Sequence, residues 1–303
     1  MAALISRRLQ ADLALALCTL FWGATFVVVK SALAHASVFV FMALRFPLAA
    51  LIMAVIHRRA LRAMTRAELW AGMQIGALMF GGYMFQTLGL LTTTPTKAAF
   101  ITGAGVVLVP VFLAVFWRRH SNILLWAGAI AAFAGLHFLT VPPGGIGGLV
   151  AGDVLCFVCA VVFAFQVIAV GSYSRHHSVG GLSFVQVATT AVFSLLAVPL
   201  LAGTHLQPAW VHWDRGLIGA VLITAVLATA VAFSIQMWGQ RYTTATHAAI
   251  LFSLEPVFAA LTSYVVLGER WGARSISGAL LILLGIVLAE LKGPAPSSAE
   301  SPT

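Results

Sequence analysis

Residues 86–99 read QTLGLLTTTPTKAA, and residues 236–249 read QMWGQRYTTATHAA. Laid one over the other, 7 of the 14 positions are identical, at an offset of 150. The same offset sets Gly128 on Gly278 and Gly135 on Gly285. Toward the N-terminus the match continues at an offset of 141. Asp12 then meets Asp153, Cys18 meets Cys159, and Arg45 meets Gln186. The chain is thus written twice, in units of roughly 140 residues, each needing its neighbour to bury a common face.

The composition fixes the solvent of those units. Hydrophobic residues are 61% of the 303, mean hydropathy is +1.02, and only 8% are charged. A soluble domain carries about 25% charged residues. This excludes a soluble enzyme, a secreted disulfide scaffold and a disordered chain. A helix crosses the hydrocarbon in about 20 apolar residues. Ten such segments fit: 12–31, 36–56, 69–90, 95–116, 122–140, 151–171, 180–201, 216–240, 243–267 and 273–291. The runs do not alternate and are too long for barrel strands. The fold class expected is an all-α polytopic membrane protein of ten transmembrane helices. Its units are 12–140 and 151–291, followed by a disordered tail, 292–303. VPPGGIGGLVAG, residues 141–152, links them, with Pro142-Pro143 stopping the fifth helix.

Five crossings per unit is an odd number. The second unit therefore enters the membrane from the opposite side, and a pseudo-twofold axis in the membrane plane relates the two. Many secondary transporters have this inverted-repeat design, with the substrate site between the repeats. With both termini cytoplasmic, the inner joints hold Arg7, Arg8, Arg58, Arg59, Arg62, Arg66, Arg118, Arg119, Arg175, Arg241 and Lys292. The outer joints hold Lys30, Lys97, Arg215, Arg270 and Arg274. The bias follows the positive-inside rule. The net charge of +9 suits anionic lipid headgroups, not nucleic acid, because the basic residues sit in short joints beside apolar segments. The first apolar run is longer than a signal-peptide core and belongs to the repeat, so it is read as a retained helix. Cys18, Cys156 and Cys159 lie in apolar stretches and read as small buried hydrophobes.

Polar groups at membrane depth are expensive and are functional candidates. Arg45 lies mid-way along the second helix, suited either to a substrate carboxylate or to a hydrogen-bond hub. Glu255 precedes Pro256 in the ninth, where a kink frees the carbonyl of Phe252. It is a candidate for a proton or a substrate amino group. Pro110 is matched with Pro256 by role, through four extra residues in the first unit. Lys97 and His247 coincide in the repeat, near the starts of the fourth and ninth helices on opposite sides, and are candidate gating residues. Asp12 and Asp153 read as N-terminal caps of helices one and six. Trp70, Trp117, Trp126, Trp210, Trp213 and Trp271 read as an interfacial belt. Trp22, Phe80, Tyr83, Gln86, Phe163, Gln166 and Trp238 are read as the wall of a cavity with flat apolar sides and amide or hydroxyl contacts, fitted to an amphipathic solute. Ordinary membrane packing would use the same residues.

Four stretches carry a family resemblance: FWGATFVVVK (21–30), ALRFPLAAL (43–51), AAFITGAGVVLVPV (98–111) and SLEPVFAALTSYVVLGER (253–270). Together they resemble the drug/metabolite transporter superfamily, and within it the ten-helix EamA-type branch. The resemblance implies export of amino acids or metabolites by alternating access, from a bacterial inner membrane. Exporters of aromatic amino acids and small aromatic drugs are within that branch. The second unit keeps Gly268-Glu269-Arg270 at the joint where the first has Trp117-Arg118-Arg119-His120. The expected function is a secondary exporter of aromatic or hydrophobic amino acids, working as a monomer. The alternatives are a uniporter or exporter of other metabolites or amphipathic drugs, and more remotely a scaffold or receptor. No phosphate-binding loop, nucleophile elbow or zinc-protease motif is present. No enzyme activity, cofactor or metal is expected, and protons are the candidate coupling ion.

Overall fold

An apolar segment in lipid must satisfy its own amides, and a helix does so within the segment. The computed structural model describes residues 7–119, 121–141, 144–145, 147–203, 208–267 and 272–291. Among these, ten helical spans are long and apolar enough to cross a membrane, and the protein is a multi-pass integral membrane protein. The elements are α1 (Arg7–Ala32), α2 (Val38–Ile56), α3 (Arg58–Arg62), α4 (Arg66–Thr92), α5 (Pro95–Thr102), α6 (Gly105–Phe116) and α7 (Ile123–Thr140). Then come α8 (Ala151–Tyr173), α9 (Val179–Gly203), α10 (Arg215–Ala225), a π-helical turn over Val226–Val231, α11 (Ala232–Gln240), α12 (Ala245–Phe252), α13 (Glu255–Leu267) and α14 (Ala273–Leu291). Pro142-Pro143, Gly268-Glu269-Arg270, Trp271 and the expected tail lie outside the described residues.

Three differences from the sequence reading have physical causes. First, α1 begins at Arg7, so Asp12 sits in its second turn and caps nothing. Asp153 does serve its helix start, accepting the Val150 amide at 3.0 Å. Second, the fourth and ninth spans break at Gly103-Ala104 and Ser253-Leu254, an offset of 150 with no insertion. The pairing of Pro110 with Pro256 therefore fails: Pro256 corresponds to Val106, and Glu255 to Gly105. Pro110 lies inside the continuous α6, and Pro256 is the second residue of α13. A proline fits a helix's first turn because those amides have no partner there. Third, the joint after α2 is helical, and α3 carries Arg58, Arg59 and Arg62.

Small residues set the closest helix contacts. α7 and α14 meet with Gly128 against the Gly285 carbonyl and Gly135 against the Gly278 carbonyl. At the end of the bundle opposite to where α1 begins, the Ser37 amide donates to Trp210 and the His212 amide to His35. Large apolar side chains such as Leu51, Val55, Leu200 and Leu280 face outward, where lipid replaces water. Trp70, Trp117 and Trp213 are exposed near span ends, as an interfacial belt requires.

His57 follows α2, within 3.4 Å of the Ser234 hydroxyl. Burial holds its imidazole below the usual value of 6.5. The unfolded chain then binds more protons at this residue as pH falls below that value, so stability declines with acidification. His57→Gln is expected to lose less thermal stability than the wild type between pH 7.5 and 5, read by unfolding midpoints in detergent.

Candidate functional site

A central cavity of about 150 Å³ lies between the spans. Its wall draws on α1, α2, α4, α8 and α11, and on both broken spans. Those breaks matter, because non-helical backbone at membrane depth is tolerated where it lines a cavity. Gly103, Gly105, Ser253 and Glu255 all reach the wall.

Arg45 is the cation of the site and is 4% exposed. Its Nε donates to the Thr229 hydroxyl at 2.8 Å. Nη2 lies 3.4 Å from both the Tyr83 hydroxyl and the Ala228 carbonyl. The guanidinium also sits 4.8 Å from the Tyr83 ring centre and 5.1 Å from that of Phe46, within cation–π range. Among the described residues no carboxylate pairs with it, and Nη1 makes no hydrogen bond. The Ala228 and Thr229 contacts come from the π-helical turn, whose wider winding displaces backbone carbonyls from the regular α ladder. Ala228 also accepts from Trp22 Nε1 at 3.1 Å. One irregular turn thus fixes both the arginine and an aromatic wall.

Glu255 opens α13 and faces the same cavity. Among the described residues its carboxylate has no hydrogen-bond donor and no cation. Its backbone is held by α1, where Gly23 lies directly against the Glu255 carbonyl. Tyr83 stands edge-on to Phe46, Phe163 and Phe233, with ring centres 5.1, 5.4 and 6.1 Å apart. Trp22 meets Phe233 and Phe252 at 5.3 Å each. Gln166 and Gln236 exchange amide hydrogen bonds at 3.2 and 3.3 Å, and Gln166 also reaches Gln186 at 3.4 Å.

Of the residues singled out from sequence, Trp22, Arg45, Tyr83, Gln86, Phe163, Gln166 and Glu255 meet at this cavity. Phe80 and Trp238 do not line it. Phe80 packs on Phe193 at 5.5 Å, and Trp238 on Tyr242 at 5.4 Å. Lys97 and His247 lie at the two ends of the bundle. Lys97 Nζ reaches Asp153 at 2.7 Å and the Gly148 carbonyl at 3.1 Å. His247 Nε2 lies 3.3 Å from Asp12 and 3.2 Å from Glu290. Gln236 was missed, although the 150-residue offset lays it on Gln86. Thr229 and the Ala228 carbonyl were also missed, and nothing in VLATAV announces a π turn.

The family model that describes the EamA-like transporter family matches this chain twice, over residues 9–141 and 150–291. The chain belongs to the EamA-like transporter family. This EamA-like protein is 37% identical over 286 residues to an "Uncharacterized transporter" of Archaeoglobus fulgidus, covering 94% of this chain and 87% of that one. It is 24% identical to the "Uncharacterized transporter YyaM" of Bacillus subtilis, covering 89% and 90%. A solved crystal structure superposes with a TM-score of 0.76 at 20% identity, over 93% of this chain and 96% of the other, which speaks for the fold alone. The EamA-like chain is a transporter and not an enzyme.

Proposed function

We propose that this protein exports aromatic or large apolar amino acids across a cytoplasmic membrane by alternating access. The observation that carries the reading is the cavity itself. Among the described residues it holds a cation without a counter-carboxylate, a carboxylate without a donor, and aromatic walls. A zwitterion with a flat apolar side chain complements all three: its carboxylate meets Arg45, its ammonium Glu255, and its ring the walls. Glu255 also serves as the proton site when the solute has left.

Two five-helix units of inverted topology supply the motion in this reading. Lys97 of the fourth span reaches Asp153 of the sixth, while His247 of the ninth approaches Asp12 of the first. Lys97 and His247 are equivalent at offset 150, and Asp12 and Asp153 at offset 141. A pseudo-twofold axis exchanges one contact for the other and places them at opposite mouths, where they act as gates. The arginines of α3 mark the cytoplasmic end, with both termini on that side.

The test is counterflow in proteoliposomes loaded with L-phenylalanine, reading uptake of labelled L-tryptophan. Saturable exchange is the expected result. Glu255→Gln is expected to remove the response of net transport to a proton gradient. A folded preparation without exchange of either amino acid rejects the substrate class, and a preserved proton response in Glu255→Gln rejects the coupling role.

A further inference from the structure

We propose that Asp12, His247 and Glu290 form a binding site for a divalent metal ion of the zinc type, at the end of the bundle where α1 begins and α14 finishes. The helix start at Arg7 leaves Asp12 without a capping duty, five residues into α1. His247 comes from the first turn of α12 and Glu290 from the last turn of α14. Asp12, His247 and Glu290 offer one ligand atom each, all within 4.8 Å of one another.

The spacing fits a metal better than a hydrogen-bond network. His247 Nε2 stands 3.3 Å from Asp12 Oδ1 and 3.2 Å from Glu290 Oε1. On a tetrahedron with metal–ligand bonds of about 2.0–2.1 Å, neighbouring ligand atoms are about 3.3 Å apart. The same contacts lack hydrogen-bond geometry. Both His247 ring nitrogens and both Asp12 oxygens are buried with no hydrogen-bond partner among the described residues. The His247 side chain is 2% exposed and that of Asp12 is 7%. Buried polar groups in native proteins are ordinarily satisfied, and an ion between them would satisfy His247 Nε2 and Asp12 Oδ1.

Arg8 holds the outer edge of the cluster. Its Nη2 lies 3.2 Å from Glu290 Oε2, and its Nε 3.9 Å from Asp12 Oδ2. The guanidinium thus faces the two outer oxygens and leaves the inner pair turned toward His247. Carboxylates that bind metals are commonly braced in this way from outside. Two carboxylates and one arginine leave one negative charge for the ion to meet. Glu290, 41% exposed, provides an entry path and room for water in a fourth position.

The opposite end of the molecule gives an independent reason. There the residue equivalent to His247 is Lys97, whose ammonium reaches the aspartate equivalent to Asp12 at 2.7 Å. An imidazole that ligates a metal is neutral, and the divalent ion then supplies the positive charge that Lys97 carries at the other end. Bound there, the ion ties the first, ninth and tenth spans together. The sequence offered no metal motif because the three ligands come from positions 12, 247 and 290. The proposal does not depend on which solute the central cavity carries.

The experiment uses the untagged full-length protein in detergent, stripped with a chelator and titrated with Zn²⁺ against a chromophoric competitor. One tight equivalent per chain and a raised unfolding midpoint are expected. His247→Gln and Glu290→Gln should each lose that equivalent and the midpoint shift. Glu290 is surface-accessible, so its variant guards against a simple failure to fold. Arg8→Gln, a positioning change, should weaken binding about 10- to 100-fold. X-ray absorption should give a first shell of nitrogen and oxygen near 2.0 Å, without sulfur. Absence of a tight equivalent in the wild type overturns the proposal. So does an equivalent retained by both ligand variants, which would place the zinc on other histidines.

Discussion

Arg45→Gln is expected to reduce transport of a zwitterionic amino acid roughly 100-fold while leaving the protein folded. The size follows from the donors removed. A bidentate, charge-assisted pair between guanidinium and carboxylate contributes about 3 kcal/mol, or about two decades in affinity. The geometry has Nη1 open while Nε is anchored on Thr229 at 2.8 Å. Deleting one partner of a buried ion pair strands the other charge and destabilises strongly. Here no described carboxylate pairs with Arg45, so its removal strands none. Thr229 keeps its own bond to the Thr224 carbonyl at 2.8 Å. The stability change should therefore stay within about 1–2 kcal/mol, the scale of ordinary hydrogen bonds. Arg45→Lys is not expected to restore transport, because an ammonium lacks the planar fork and cannot hold Thr229, Tyr83 and a carboxylate together. Tryptamine, which has the ring and amine without the carboxylate, provides the control. Its exchange should be weak in the wild type and unchanged in Arg45→Gln. If tryptophan and tryptamine lose equally, Arg45 acts through packing and not on the carboxylate.

The same residues mark what the sequence made legible. Arg45 and Glu255 stand out because ionisable groups are rare at membrane depth, and both reach the cavity. The ten spans were legible because lipid demands length and apolarity, which a sequence displays directly. Rotation about a helix axis was not legible. Phe80, Tyr83 and Gln86 are three residues apart, yet each such step turns about 60° away from a full turn. Tyr83 and Gln86 reach the wall, and Phe80 turns away to Phe193. Trp238 stands two residues after Gln236, which puts it on the far side of α11, against Tyr242. Aromatic residues are equally at home in a wall, in packing and at a lipid interface, so composition could not separate these roles. In the ninth span the kink expected before Pro256 coincides with the end of α12 at Phe252, whereas following proline to Pro110 misplaced its counterpart in the fourth. A proline inside a helix has lost a donor, whereas one in the first turn has lost nothing the helix used. The repeat was the better guide, since the break at Gly103-Ala104 recurs at Ser253-Leu254. It also pairs Gln86 with Gln236.

Gly23→Ala and Gly219→Ala, the same change in two helices, are expected to move stability in opposite directions. Gly23 of α1 lies against α13. A Cβ added there would collide with the Glu255 carbonyl, would lie 2.9 Å from the Ala259 nitrogen, and 3.2 Å from Phe258 Cβ. Two of these three are backbone atoms, so no rotamer change relieves them and one helix must move. Overpacking of this kind costs about 1–3 kcal/mol, against about 1 kcal/mol regained from alanine's helix propensity. Gly23→Ala should thus lower the unfolding midpoint, and the bulkier Gly23→Val should lower it further. Gly219 of α10 has nothing within 4 Å of its added Cβ. There the conformational term stands alone, and Gly219→Ala should raise stability by about 0.4–1 kcal/mol. The first substitution also bears on transport. Whichever helix yields, Glu255 of α13 or Trp22 of α1 moves relative to Arg45 across the cavity. Positioning errors of about 1 Å can cost two decades in a reaction that depends on orientation. Counterflow measured well below the variant's unfolding midpoint should therefore remain depressed in Gly23→Ala and be normal in Gly219→Ala. Wild-type exchange in folded Gly23→Ala would mean that the contact supports packing alone, and that Glu255 finds its place without it.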